Sequence, residues 1–220
     1  DALAVTLPSY DSLTPAQIAG NGLDAITQLI EGYTATKANP MTDALALDGL
    51  KRGLRALPLW FDEPTSVDYA SDMAWAALAS GMVLAHAGLG AVHGMASPLG
   101  AFFPAPHGVV CGRLLAETTQ AHGQTLRDKN ASHPALARYA QICRLLPSAQ
   151  ADWTEDQAVQ ALLDTLVAWQ EKFALPNLSE FGMIEEDIPR VVANSRGNSM
   201  KTNPVLLSDE QLAQMLAMCL

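Results

Sequence analysis

Two stretches of the 220-residue chain hold residue types that chemistry needs. In GLDAITQLIEGY, Asp24 and Gln28 stand four apart, so on a helix both oxygen donors project from one face, one turn above the other. In VHGMASPLGAFFPAPHG, His93 and His107 flank Pro98, Pro104 and Pro106, which predict a bend that folds two imidazoles towards a common point. Asp24, Gln28, His93 and His107 together would offer two oxygens and two nitrogens, a mixed set suited to a borderline divalent ion such as ferrous iron or zinc. The same residues admit a plainer reading. A histidine on an apolar face is usually a satisfied core residue, and an Asp near a helix start is usually a cap or dipole partner. On pattern alone the plainer reading prevails.

Neighbouring residues carry paired readings of the same kind. His86 precedes His93 by seven positions, but Gly88 and Gly90 intervene, which predicts a packing role. Glu31, seven beyond Asp24 on the same face, is either a partner standing behind a ligand or half of a helix-face salt bridge. Phe102 and Phe103 either line a substrate pocket or plug the core. Cys111 reads as a buried small hydrophobe rather than a nucleophile. The Arg196-to-Lys201 loop places two positive charges before Asn203 and Pro204, for a substrate carboxylate or for a solvated turn.

The elements that must position these residues read as helices throughout. Thr14-Pro15-Ala16-Gln17, Thr154-Glu155-Asp156-Gln157 and Ser208-Asp209-Glu210-Gln211 each match a capping box, in which a hydroxyl and a side chain three residues on satisfy orphan N–H groups. After the second box, Val159, Leu162, Leu163, Leu166, Trp169 and Phe173 form one apolar stripe. Further helices are predicted over Gly22–Thr36, Met41–Leu57, Val67–Ala87, Gly108–His122, Pro134–Leu146 and Glu185–Asn194. Alternating strand patterns, hairpin turns and internal repeats are missing, so the chain reads as all-α. Composition does not shift across the linker-like stretches near Phe61–Pro64 and Pro176–Gly182, so residues 1–220 read as one helical domain.

From Met73 to Gly112 there is no Asp, Glu, Lys or Arg. A membrane span fits poorly, because Gly88, Gly90 and Pro98 break the stretch before about 20 strongly apolar residues accumulate. The expectation is a central helix of small residues over which others pack, then a turn into a second buried segment whose histidines need partners.

Composition narrows the function classes. With 49% apolar and 16% charged residues the chain can bury a sizeable core, and disorder is excluded. A formal charge of −10 argues against binding nucleic acid or anionic lipid. Cys111, Cys143 and Cys219 are scattered and odd in number, which points to a reducing cytoplasm rather than a disulfide framework. The N-terminal stretch has no basic region leading into an apolar one, so no secretory signal is expected. It also lacks an initiator Met, as a processed chain or a piece of a longer protein would.

GLDAITQLIEGY and VHGMASPLGAFFPAPHG, separated by an Ala/Gly-rich helix, resemble the signature of the iron-containing (group III) alcohol dehydrogenase family. The similarity extends through NPMTDALALDGLKRGLRALP to the closing RGNSMKTNPVLLSDEQL. The resemblance implies a two-domain enzyme with an N-terminal nucleotide-binding α/β domain and a C-terminal helical domain that holds the metal. This chain would correspond to the second, since it has no strand, Gly-rich loop and helix unit and no GxGxxG.

The family's metal ligands are an Asp, a His four residues later and two further His, which fall here on Asp24, Gln28, His93 and His107. Gln28 departs from the pattern, and its neutral amide oxygen implies weaker metal affinity. Ser97 stands where many relatives have a further His near substrate and nicotinamide. It can donate a hydrogen bond but cannot titrate near neutrality.

The implied activity is NAD(P)-dependent oxidation of a small alcohol or reduction of an aldehyde. The ion would act as a Lewis acid while hydride passes to or from nicotinamide C4. Without an ion, Gln28, His93 and His107 would polarise a carbonyl by hydrogen bonding. The rival from another class is a non-catalytic helical assembly domain, which the retained Asp24, His93 and His107 argue against. Dimers are common in the family, and the chain is apolar enough to self-associate.

Overall fold

Side-chain caps start several of the helices in the computed structural model, which describes residues 13–220. Thr14 accepts from the Gln17 backbone N–H at 3.3 Å while the Gln17 side chain accepts from the Thr14 N–H at 2.9 Å, opening α1 (Pro15–Thr34). The expected Gly22–Thr36 helix is therefore the later part of a helix that begins at the first capping box. Asn39 closes the same kind of reciprocal box with Thr42 and starts α2 (Pro40–Asp62). Pro58 lies inside α2 and does not end it at Leu57. A proline mid-helix removes one main-chain bond, and burial of Leu54, Ala56, Leu57 and Trp60 around it holds the turn together.

The chain continues through α3 (Val67–Ala87), α4 (Ala91–Phe102), α5 (His107–Lys129) and α6 (Pro134–Cys143). After these come α7 (Glu155–Lys172), α8 (Ile188–Asn194) and α9 (Asp209–Met218), with 3-10 turns at Leu178–Phe181, Glu185–Asp187 and Ser199–Thr202. Helices α7 and α9 start at the Thr154 and Ser208 boxes as their sequences predict. The predicted Glu185–Asn194 helix divides into the second 3-10 turn and α8, the new start falling where Pro189 can occupy the first helical turn. No strand occurs among the described residues.

The central element is α1, which packs against α2, α3, α5 and α6. It buries Ile18, Leu23, Ile26, Leu29, Ile30 and Tyr33 in the core. The Ala-rich α3 was expected at the centre but lies at the side: Ala70, Met73, Ala76, Ala79 and Val83 are buried, whereas Leu78, Gly81, Leu84 and Ala85 are exposed. Small side chains present little apolar area to water, so an uncharged run need not be buried all round. His86 is exposed on α3, not packed.

Gly88 takes φ +79, open to glycine at little cost, and α4 turns away from α3 by 102° across the break it begins. Pro98 lies within α4 rather than at a bend, and the chain turns instead between Phe103 and Pro106. No single described helix is long and apolar enough to cross a membrane; only the bent pair α3 and α4 passes that test together. Residues 1–12, where the leader reading falls, are outside the described residues.

Candidate metal centre

Three helices bring their polar side chains together beside the middle of α1. Asp24 projects from the third turn of α1, His93 from the first turn of α4, and His107 is the first residue of α5. What sets His107 beside Asp24 is a helix crossing: a Cβ built on Gly108 would lie 2.2 Å from the carbonyl oxygen of Gly20, one turn before Asp24. Only a residue without a side chain lets the two backbones meet so closely. His93 Nε2 lies 3.1 Å and His107 Nε2 3.6 Å from the same Asp24 oxygen, Oδ1. The two imidazole rings are 5.4 Å apart between centroids.

Behind His93 stands Glu31, 5% exposed, two helical turns along α1 from Asp24. Its Oε1 accepts from the Val92 backbone N–H at 2.7 Å, and its Oε2 lies 2.6 Å from His93 Nδ1. A carboxylate only accepts, so Nδ1 carries a proton and Nε2 is the nitrogen that faces Asp24 and His107. Burial alone would lower the His93 pKa, but hydrogen bonds with Asp24, Cys111 and Glu31 outweigh it and push the imidazole up to about 12. Burial also works to raise the Asp24 carboxyl, yet His93, His107 and Cys111 hold it below the ordinary value. The cluster is closed beneath His93, whose side chain is 7% exposed, and open at His107, whose side chain is 53% exposed.

Gln28 is one turn from Asp24 on the same face, as its spacing predicts, but its amide is engaged. Nε2 donates to Asp24 Oδ2 at 3.1 Å, and Oε1 accepts from Ser80 on α3 at 2.7 Å. Ser97 is exposed on α4, one turn beyond His93. Cys111 is buried on α5 with its Sγ 3.6 Å from His107 Nε2 and 3.8 Å from His93 Nε2. Asp24, His93, His107 and Cys111 each offer a donor atom within 4.8 Å of the others. The sulfur is a candidate donor that the sequence reading did not single out, although the four-residue spacing of His107 and Cys111 on one helix is the same signal that singled out Asp24 and Gln28.

A carboxylate, two imidazoles and a thiol are donors that suit a divalent transition ion, and the Glu31 contact fixes the His93 tautomer as ligands of such ions require. Other singled-out residues serve the fold. Arg196 pairs with Asp209 at the start of α9 and donates to the Leu207 carbonyl at 2.9 Å, and Lys201 donates to Asn198 at 2.9 Å. The Arg190 guanidinium sits 3.8 Å over the Phe102 ring, and Phe102 and Phe103 are both half-buried.

The chain as a whole matches one known family. Residues 18–220 match the Fe-containing alcohol dehydrogenase family, C-terminal, so the chain belongs to the iron-containing alcohol dehydrogenase family, as its helical C-terminal part. It is 32% identical over 219 residues to alcohol dehydrogenase 4 of Saccharomyces cerevisiae, covering 98% of this chain and 54% of that protein. It is 32% identical over 180 residues to lactaldehyde reductase of Escherichia coli, covering 81% of this chain and 44% of that protein. A solved 1,3-propanediol oxidoreductase shares the fold with a TM-score of 0.86 at 24% identity, over 96% of this chain and 53% of that one. The chain thus spans about half the length of the relatives it matches.

Proposed function

We propose that the chain is the helical, metal-holding half of an NAD(P)-dependent alcohol dehydrogenase or aldehyde reductase that acts on a small alcohol or carbonyl compound. The carrying observation is the convergence of Asp24, His93 and His107 from three helices on a point open to solvent on one side. Family membership supplies the reaction class, and the names of two relatives denote lactaldehyde and 1,3-propanediol chemistry.

When bound, a ferrous or zinc ion supplies Lewis-acid polarisation of the alcohol or carbonyl oxygen, while nicotinamide accepts or gives the hydride. Asp24 offers Oδ1 and the negative charge, with Gln28, itself held by Ser80, bracing its other oxygen. His93 offers Nε2, oriented from behind by Glu31. His107 offers Nε2 from the rim, where a substrate oxygen approaches, and Ser97 lies one turn of α4 outward as a hydrogen-bond donor.

The reading extends beyond these residues. Residues 1–220 act as one helical domain, with NAD(P) held by a nucleotide-binding domain in the half of the relatives that this chain does not span. The three free, buried cysteines suit a reducing cytoplasm, and exposed Leu78 and Leu84 suit a homodimer. A second, metal-independent reading is favoured by the amide of Gln28, which Asp24 and Ser80 withhold from an ion; there His107 at the open rim polarises the carbonyl as a hydrogen-bond donor, with Gln28 and His93 holding the Asp24 carboxylate beside it.

The test is elemental analysis after anaerobic loading with ferrous iron or zinc, with His93→Ala run beside the unaltered chain. One ion per chain, lost in the variant, supports the metal reading. Equal retention by both proteins, or by neither, overturns it.

A further inference from the structure

Because Gln28 has its amide tied to Asp24 and Ser80, the donor that its family position would supply comes from elsewhere in the fold. We propose that Cys111 is a metal ligand, so that the ion is held by Asp24, His93, His107 and the sulfur of Cys111 in a site biased towards zinc. The proposal rests on the metal reading above and adds a donor to it.

The distances carry the argument. A tetrahedral ion with bonds of about 2.0–2.1 Å to nitrogen and oxygen and about 2.3 Å to sulfur separates its N and O donors by about 3.3 Å and its N and S donors by about 3.6 Å. Asp24 Oδ1 stands 3.1 Å from His93 Nε2 and 3.6 Å from His107 Nε2. Cys111 Sγ stands 3.8 Å from His93 Nε2 and 3.6 Å from His107 Nε2. These four of the tetrahedron's six edges agree with the tetrahedral values to within about 0.3 Å, and all four donor atoms lie within 4.8 Å of one another.

Position supports the distances. Cys111 is one turn after His107 on α5, so a single helix presents both donors to the same side. The residue is fully buried at the floor of the cluster, and His107 is at its rim. A substrate oxygen would approach from the His107 rim, away from the sulfur, as a fifth donor. On metal binding the Cys111 thiol and the Nε2–H of His93 would each give up a proton, which leaves by way of His107 at the open rim. The soft thiolate favours zinc over harder competitors for the same oxygen and nitrogen donors.

Anaerobic cobalt(II) titration of the 220-residue chain tests this, because a thiolate bound to cobalt produces a sulfur-to-metal charge-transfer band in the near ultraviolet. We expect one cobalt per chain with that band. Cys143→Ser and Cys219→Ser should retain it. Cys111→Ser and Cys111→Ala, checked for native helix content by circular dichroism, should lose it and bind zinc more than about tenfold more weakly, the least loss expected of even an outer partner. The band in the unaltered chain reads the bond directly, even if a variant fails to fold. Cobalt bound without the band, with zinc affinity unchanged in Cys111→Ser, would overturn the cysteine ligand and leave the metal centre standing. No cobalt bound, and no difference in His93→Ala, would overturn both.

Discussion

Gly108 and Gly20 meet backbone to backbone, with the place a Cβ would take at position 108 only 2.2 Å from the Gly20 carbonyl oxygen. His107 owes its place beside Asp24 to this crossing, so the contact couples packing to the donor cluster. Gly108→Ala forces α5 away from α1 and should cost about 1–3 kcal/mol of stability, the usual range for overpacking a tight contact. His107 should also withdraw from Asp24. Denaturant melts read the first effect, and ion stoichiometry at fixed free metal reads the second.

Glu31 controls which nitrogen of His93 faces the cluster. In Glu31→Gln the side chain keeps its shape, but an amide nitrogen placed against Nδ1 donates to it. The ring proton then moves to Nε2, the nitrogen needed as ligand. Ion affinity should fall about 10–100-fold, as for other partners standing behind metal ligands. Competition against a chromophoric chelator measures it, and a variant that binds as tightly as the original would refute the assignment.

Gln28→His should strengthen binding. An imidazole there stands one turn from Asp24 and can add a fourth or fifth donor once the amide link to Ser80 is gone. Zinc affinity should rise at least about tenfold. An unchanged dissociation constant would show that position 28 is too far from the ion to ligate.

His122 gives the fold an acid sensitivity independent of the cluster. It is fully buried on α5, with Nδ1 2.9 Å from the Tyr139 hydroxyl, and burial lowers its pKa from 6.5 to about 4. Between those values the unfolded chain binds a proton that the folded chain refuses, so stability rises with pH across the window and is lost as pH falls through it. Acidification across the window should remove roughly 3 kcal/mol. His122→Asn should flatten that slope in denaturant melts at pH 6.5, 5 and 4. An identical slope in the variant would assign the sensitivity to other groups.

Much of this arrangement is legible from residue type and spacing. Capping boxes mark α1, α7 and α9 because hydroxyl and amide side chains satisfy the same orphan donors wherever they occur. Asn39 escapes the search because Thr42 takes the place of the usual Glu or Gln. Pro58 and Pro98 mislead because tertiary packing offsets the single main-chain bond each removes. Glu31 is readable as a partner behind a ligand, since seven residues return a helix to nearly the same face. The engagement of Gln28 is not readable, because it depends on Ser80, 52 positions away on α3. Cys111 was within reach through its spacing from His107, but a lone cysteine in an apolar run gives no hint of what lies above it.

The seven-residue separation of Asp24 and Glu31 makes α1 a ruler of about 10.5 Å against which the imidazole of His93 is gauged, one nitrogen to each carboxylate. A ruler of this kind tolerates bending poorly and slippage not at all. One residue inserted between the two acids would turn one of them by about 100° about the helix axis and part it from its nitrogen. A residue inserted into the surface turn after α6 would leave both contacts in place. Evolution of this chain can therefore vary its loops in length, while the count between positions 24 and 31 is held by the width of a single ring.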